Sequence, residues 1–324
     1  MAEIGIPMLG CHSRRHDEKP ANGLRGISAG RYGVALALLS LLVAGCSRGM
    51  LVGGHPYPSA DWQTELQYDA GDIKPLHMSL AGCPEVDVRL NGKPFRLLFD
   101  YGCSKGFQIT TAVQERADYT VLEETNTYWA DGTIRGKVKR IRVNSLEVFG
   151  DRYEDQEGTL ADWRIFSSVP HEGLIGLEYF AGYRFTQDYR RGKLGLTHRP
   201  FPAALKGSSD YESIELLDPP EYHKYGVYVL GKVNGVECVI HIDTGSSKTM
   251  VDPAMLTSSE KPPAELAVSL GSFEFTIRRY RVTPIQHPSP CEVPVRMGIG
   301  SDLLRHFVIT IDRTEKQNLL IVHK

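Results

Sequence analysis

Along this chain the apolar positions fall into short runs punctuated by glycine and asparagine, a pattern of strands and tight turns. One run, "CVIHIDTGSSKTMVD" at 238–252, stays apolar until it meets Asp243, Thr244 and Gly245. A core strand that ends on an ionisable group is either an ordinary strand-to-turn junction or half of a carboxylate pair. The same order occurs earlier. "VDVRLNGKPFRLLFDYGCSKG" (86–106) aligns with "GKVNGVECVIHIDTGSSKT" (231–249). Asn91-Gly92 falls on Asn234-Gly235, Asp100 on Asp243, Gly102 on Gly245 and Ser104-Lys105 on Ser247-Lys248, always 143 positions apart. Asn-Gly between apolar segments is the strongest two-residue hairpin signal. Each copy therefore predicts strand, tight turn, apolar strand, carboxylate, glycine.

A later block repeats as well. "GLIGLEYFAGYRFTQDYRRGKLGL" (173–196) aligns with "MGIGSDLLRHFVITIDRTEKQNLLI" (297–321), placing Gly176 on Gly300, Thr186 on Thr310 and Asp188 on Asp312 at an offset of 124. The second copy is thus 19 residues shorter between its blocks, 143 less 124. Two homologous lobes follow, 76–205 and 206–324, joined by the Pro-, Gly- and Ser-rich "THRPFPAALKGSSDYES". "LEYFAGY" and "DLLRHF" each predict a short helix, and the rest predicts strands, so the fold class is all-β.

The N-terminus follows different rules. "RYGVALALLSLLVAGC" has a basic flank at Arg31, an apolar stretch from Val34 to Ala44, and then Gly45-Cys46. That stretch is too short to span a bilayer as a helix but suits a signal-peptide core. "LVAGC" resembles the bacterial lipobox, which implies lipidation of Cys46 as the mature N-terminus, with 1–46 as signal peptide and 47–75 as linker. Ser47 stands where an inner-membrane retention signal would have Asp. The expectation is a membrane tether in the cell envelope, in the outer membrane facing the periplasm.

Composition narrows the classes. The chain has 324 residues, 41% hydrophobic and 23% charged, with 32 Gly, 19 Pro and a formal net charge of -2. No global field favours nucleic acid, and the basic run "RGKVKRIR" alternates like a solvated strand face. After Cys46 four cysteines remain, Cys83, Cys103, Cys238 and Cys291. An exported location permits a disulfide, for which Cys83 with Cys291 is conceivable, although spacing does not fix pairing. No Cys/His cluster has metal-site spacing, and no cofactor is implied.

Apolar strand, D-T-G-S-S and a late "IGSDLL" together resemble the retropepsin-like aspartic proteases, here in the tandem two-lobe form of the pepsin type. The resemblance implies a bilobal fold with a pseudo-twofold axis, and a water-activating dyad of Asp100 and Asp243 acting on peptide bonds in a single chain. Tyr101, Gly102, Ser104, Thr244, Gly245, Ser246 and Ser247 would form the supporting loops. The 19 extra residues of the first lobe include "NTYWADGTIRGKVKRI", a hairpin that would be the single flap, with Tyr128, Trp129 and Gly132 at its tip. Its aromatic residues would either meet substrate or pack on their own lobe. Peptide or protein substrates are the implied partners.

The first lobe departs from the pattern. Asp100-Tyr101-Gly102-Cys103 has tyrosine where the family has a threonine or serine that grips the other loop. A misplacement of about 1 Å at a reacting group can cost 10²-fold in rate. Three outcomes stay open: an active but atypical enzyme, an inactive peptide-binding relative, or two chains pairing their Asp243 loops. Cys103 reads as a small packing residue, and Asp188 and Asp312 as turn or cap residues. His171 and His198 have no partner evident from sequence.

Overall fold

The computed structural model describes residues 57–58, 61–103, 106–128, 134–165, 169–219, 223–256, 262–287, 289–314 and 317–324. The expectations for Cys46, the signal segment, Ser104, Trp129 and Gly132 lie outside these residues, and Tyr128 is described only as backbone. Among the described residues the chain is all-β, built from an eight-stranded sheet, a seven-stranded sheet and a six-stranded sheet, with only short helices. Among the described residues no helix is long and apolar enough to cross a membrane.

Both predicted hairpins form. Pro84–Leu90 pairs with Lys93–Asp100, and Val227–Val233 pairs with Val236–Ile242. Asn91, Gly92, Asn234 and Gly235 all have positive φ (49°, 77°, 50° and 81°), as a type I′ turn requires. Asparagine does a second job here. Asn91 donates its N–H to Ser145 O and accepts the Ser145 N–H on Oδ1, each at 2.9 Å. Asn234 does the same with Ala267, at 2.8 and 3.1 Å. Each turn is thereby pinned to another strand of its lobe, Ile134–Val148 or Leu266–Leu270.

The strand after each turn runs from solvent into the core. Lys93 and Pro94 are exposed while Leu97 to Asp100 are buried, and Val236 and Glu237 are exposed while Cys238 to Ile242 are buried. A later strand lies parallel beside each inner end. Gly173–Gly176 pairs Leu98↔Leu174, Phe99↔Ile175 and Asp100↔Gly176; Val295–Ile299 pairs His241↔Gly298 and Ile242↔Ile299. The chain next to each aspartate returns as a short strand on the far side of that later strand, Phe107–Thr110 in one lobe and Met250–Val251 in the other. Each aspartate loop is thus enclosed by strands on both sides.

The lobes meet in the six-stranded sheet, ordered Ile73–Pro75, Lys193–Thr197, Arg184–Asp188, Val308–Asp312, Leu319–His323, Tyr211–Glu215. Its central pairing sets Thr186 opposite Thr310, with Phe185↔Ile311 and Arg184↔Asp312 to one side. Thr186 and Thr310 are equivalents in the repeat, so the pseudo-twofold axis passes between them. Their buried hydroxyls hydrogen-bond at 2.6 Å, with Tyr68 Oη on Thr186 (2.9 Å) and His323 Nε2 on Thr310 (2.8 Å). One hydrophobic core is continuous through both lobes.

One detail differs from expectation. The second half of the segment expected as a 47–75 linker is built into the fold. The helix Trp62–Glu65 buries Trp62 with Phe201, Tyr211, Val308 and Ile321, and Ile73–Pro75 forms an edge of the shared sheet. Asp188 and Asp312 close strands and cap turns. Asp188 accepts from Arg191 N (2.9 Å) and also holds Trp62 Nε1 (2.8 Å), while Asp312 accepts from Thr314 N (3.0 Å) and Phe201 N (2.6 Å). The two predicted helices are single turns, Leu177–Phe180 and Ser301–Leu304. The arms of the expected flap are Thr120–Tyr128 and the long strand Ile134–Val148. Their exposed basic residues pair with acids, Lys137 with Glu124 and Arg142 with Glu157.

The axis hydrogen bond makes a stability prediction. Thr186→Val leaves two buried hydroxyls short of a partner, which costs about 1–3 kcal/mol. Urea unfolding should show the midpoint falling at unchanged slope.

Candidate active site

The two strands deliver Asp100 and Asp243 to the same point between the lobes. Their carboxyl groups are hydrogen-bonded to each other. Each is also held by the N–H groups of its own loop: Gly102 N donates to Asp100 Oδ1 (2.7 Å) and Ser246 N to Asp243 Oδ1 (3.1 Å). The glycines explain the approach. A Cβ on Gly102 would lie 2.7 Å from Asp243 Oδ1, and one on Gly245 would lie 2.3 Å from Asp100 Oδ1. Each glycine is therefore packed against the aspartate of the other lobe, and any side chain there would drive the carboxylates apart. Because the paired aspartates belong to one chain, pairing of Asp243 loops between two chains is not needed to assemble the constellation.

Burial and mutual repulsion both favour the protonated form. Asp100 is raised well above the ordinary carboxylate range, first by loss of solvent and then by the charge of Asp243. Asp243 is raised too, again by burial, but the hydrogen bond from Asp100 acts to lower it. Two carboxyl groups this close do not both ionise cheaply, so sharing one proton is favoured.

Thr244 grips as the pattern predicts. Its hydroxyl accepts the N–H of Tyr101 at 2.9 Å and donates to Phe99 O at 2.5 Å, so one side chain of the second lobe holds two peptide groups of the first. Tyr101 does not reciprocate. Its ring turns into the first lobe, fully buried and edge-on to Phe99 and Phe185 at 5.4 and 5.7 Å, and its hydroxyl has no partner among the described residues. The ring joins an aromatic cluster with Phe99, Phe180 and Phe185. The repeat equivalents of Phe99, Phe180 and Phe185 are Ile242, Leu304 and Ile309, which line a small apolar cavity of about 20 Å³ in the second lobe. With the ring taken into the core, Asp100 still faces Asp243.

The supporting turns are asymmetric as well. In the second lobe Ser301 Oγ donates to Thr244 O (2.6 Å), and Asp302 Oδ1 accepts from Thr249 N (2.8 Å) and Thr249 Oγ1 (2.7 Å). The equivalent positions in the first lobe are Leu177 and Glu178. Gly300 is closed in by the backbone of Lys248, and Gly176 by the backbone of Cys103. Ser246 fixes its own turn by donating to Lys248 O (2.8 Å), and Ser247 lies half-buried beside it.

The suggested bond between Cys83 and Cys291 is not formed: Cys83, Cys103, Cys238 and Cys291 are all thiols. Cys83 is buried against Leu98, Leu174 and Cys103 and points its sulfur at Gly245 O (3.5 Å), while Cys291 is exposed in a distant turn with Val293. Burial, with Asp100 and Asp243 nearby, pushes the Cys83 thiol up to about 12, so it is no nucleophile. His171 bonds Gly173 O, and His198 lies against the Tyr183 ring. Cys83, Ser301 and a histidine, His223, touch the aspartate loops without having been anticipated from sequence. Only Ser301, one place after the repeated Gly300, carried a positional signal.

Residues 86–179 match the family model of aspartyl proteases. The match begins in the first hairpin and ends in the turn beyond Gly176, so it takes in Asp100 and the strand that supports it. The matched part of the first lobe is thus similar to an aspartyl protease domain. The second repeats its topology outside the matched segment. No curated protein matches the chain.

The raised carboxyls predict a pH-dependent stability. A group raised on folding contributes stability below its unfolded value, near 4, that is lost as pH rises through its folded value. Asp100→Asn cannot ionise, so from about pH 4 to pH 9 it should lose less thermal stability than the parent, by on the order of 2–4 °C for each kcal/mol recovered. Melting curves of both proteins across that range provide the check.

Proposed function

We propose that the chain is an aspartic endopeptidase that hydrolyses peptide bonds with a water activated between Asp100 and Asp243. The supporting observation is the reciprocal packing of Gly102 on Asp243 and Gly245 on Asp100, which brings two carboxyl groups from separate repeats into one hydrogen bond. The two roles follow from the proton. Ionised Asp243 takes a proton from water as the oxygen attacks the peptide carbonyl. Asp100 gives its proton to the developing oxyanion, and the tetrahedral intermediate then collapses with proton transfer to the leaving amine. Burial keeps the acid protonated at a pH where an exposed aspartate would be ionised.

The strand pair Thr120–Tyr128 and Ile134–Val148 is proposed as the flap that covers an extended peptide. Lipidation of Cys46 would tether the enzyme to the cell envelope, with envelope or secreted proteins as substrates. A second reading, a peptide-binding lipoprotein without hydrolysis, is favoured by Tyr101 in place of the gripping hydroxyl.

The chain lacking residues 1–46, incubated with an unfolded protein from pH 3 to 8, should cleave it, and both Asp100→Asn and Asp243→Asn should lower kcat at least about 10³-fold. Hydrolysis that survives both substitutions would remove the dyad from the reaction. Folded protein that binds peptide at every pH without cutting it would establish the second reading. In the full chain, Cys46→Ser should move the protein from the membrane to the soluble fraction; retention there would rule out the proposed anchor.

A further inference from the structure

Gly102 presents its N–H to Asp100 and its Cα to Asp243, so its position governs both carboxylates. What fixes its carbonyl comes from the other lobe. His223, in the turn before Val227–Val233, has Nε2 at 2.8 Å from Gly102 O. A carbonyl oxygen only accepts, so Nε2 carries the hydrogen and Nδ1 is the acceptor of the neutral ring. The Tyr228 hydroxyl lies on that Nδ1 and donates to it, which sets the tautomer.

The turn is built to present this ring. Gly226 N closes it on His223 O (2.8 Å), and the Arg313 guanidinium holds Tyr225 O and Gly226 O, each at 2.7 Å. A side chain at 226 is impossible without moving the imidazole, since its Cβ would sit 2.4 Å from His223 Nδ1. Tyr228 is stacked on His241, with ring centroids 4.7 Å apart, and His241 is 5.2 Å from both His223 and His287. Burial lowers all three histidines, which favours their neutral forms. With both nitrogens of His223 engaged, the ring serves as a hydrogen-bonding strut and has no lone pair to offer a metal.

We propose that His223 is a positioning residue, which with Tyr228 ties the first aspartate loop to the second lobe and adds to the grip of Thr244 where Tyr101 supplies none. The catalytic consequence rests on the protease reading; the mechanical one does not. Thr244 reaches from the second lobe to the peptides on either side of Asp100, and His223 reaches from the same lobe to the peptide after Gly102. Both interlobe ties to this loop are therefore supplied by one lobe.

Three variants test the tie: His223→Leu, which removes the donor, His223→Gln, which can restore one, and Tyr228→Phe, which releases the tautomer. Amide exchange over residues 98–103 reads the loop without reference to catalysis, and kinetics on a cleaved peptide read its effect on the dyad. His223→Leu should exchange at least about 10-fold faster there and lose about 10- to 100-fold in kcat, with KM within about 3-fold, and Gln should recover most of both. Unchanged exchange in a folded His223→Leu protein, or no recovery with Gln, overturns the proposal. Should His223→Leu fail to fold, Tyr228→Phe decides: faster exchange upholds the tie, and parental exchange overturns it. Faster exchange in a protein that cleaves nothing upholds the tie while the protease reading falls.

Discussion

Two carboxyl groups buried against each other at the junction of two lobes are the constraint on which this architecture turns. Fully ionised, they would repel by about 4 kcal/mol at a separation of about 4 Å and the effective dielectric of a protein. One shared proton removes that repulsion and converts it into a hydrogen bond. The arrangement holds only while neither loop can retreat. Each aspartate therefore ends a strand whose inner half is buried, is flanked by a parallel neighbour, and is faced across the interface by a glycine. Rigid placement is what lets a like-charge pair persist as a chemical resource instead of relaxing into solvent.

Duplication supplies this geometry economically, because one loop design used twice about an axis places its own copy opposite itself. The Thr186–Thr310 pair marks where that axis passes. The copies have since taken different packing solutions. An aromatic cluster in the first lobe accepts the Tyr101 ring, and in the second lobe Thr244 reaches across to the first. Thr244 and His223, both of the second lobe, then tie the first aspartate loop across the interface. Arg313, Gly226 and Tyr228 then make sense as parts of one support, since each shapes or orients the turn that carries His223.

How far the site could be seen in the sequence depended on the range of the interaction. Asn-Gly dictates its own turn through backbone sterics, so both hairpins were readable from four residues. The offsets of 143 and 124 exposed the two lobes and paired Asp100 with Asp243, because homologous segments related by an axis must meet at equivalent points. The fate of Tyr101 was not readable. Composition gave its volume, but only the packed positions of Phe99, Phe180 and Phe185 show that a ring fits there. His223 carried no signal at all, lying 121 positions from the carbonyl it holds, outside any repeat.

Sequence by itself thus determined the elements whose cause is local or repeated: the strands, the turns, the carboxylate at each strand end, and the all-β two-lobe plan. Tertiary structure decided which way Tyr101 turns, that Cys83 and Cys291 lie apart, that the segment before residue 76 joins the shared sheet, and which residues tie the loops together. Those outcomes depend on volumes left by neighbours and on hydrogen bonds across the lobe interface. Such quantities come into being only when distant parts of the chain are packed, and no pattern along the chain encodes them.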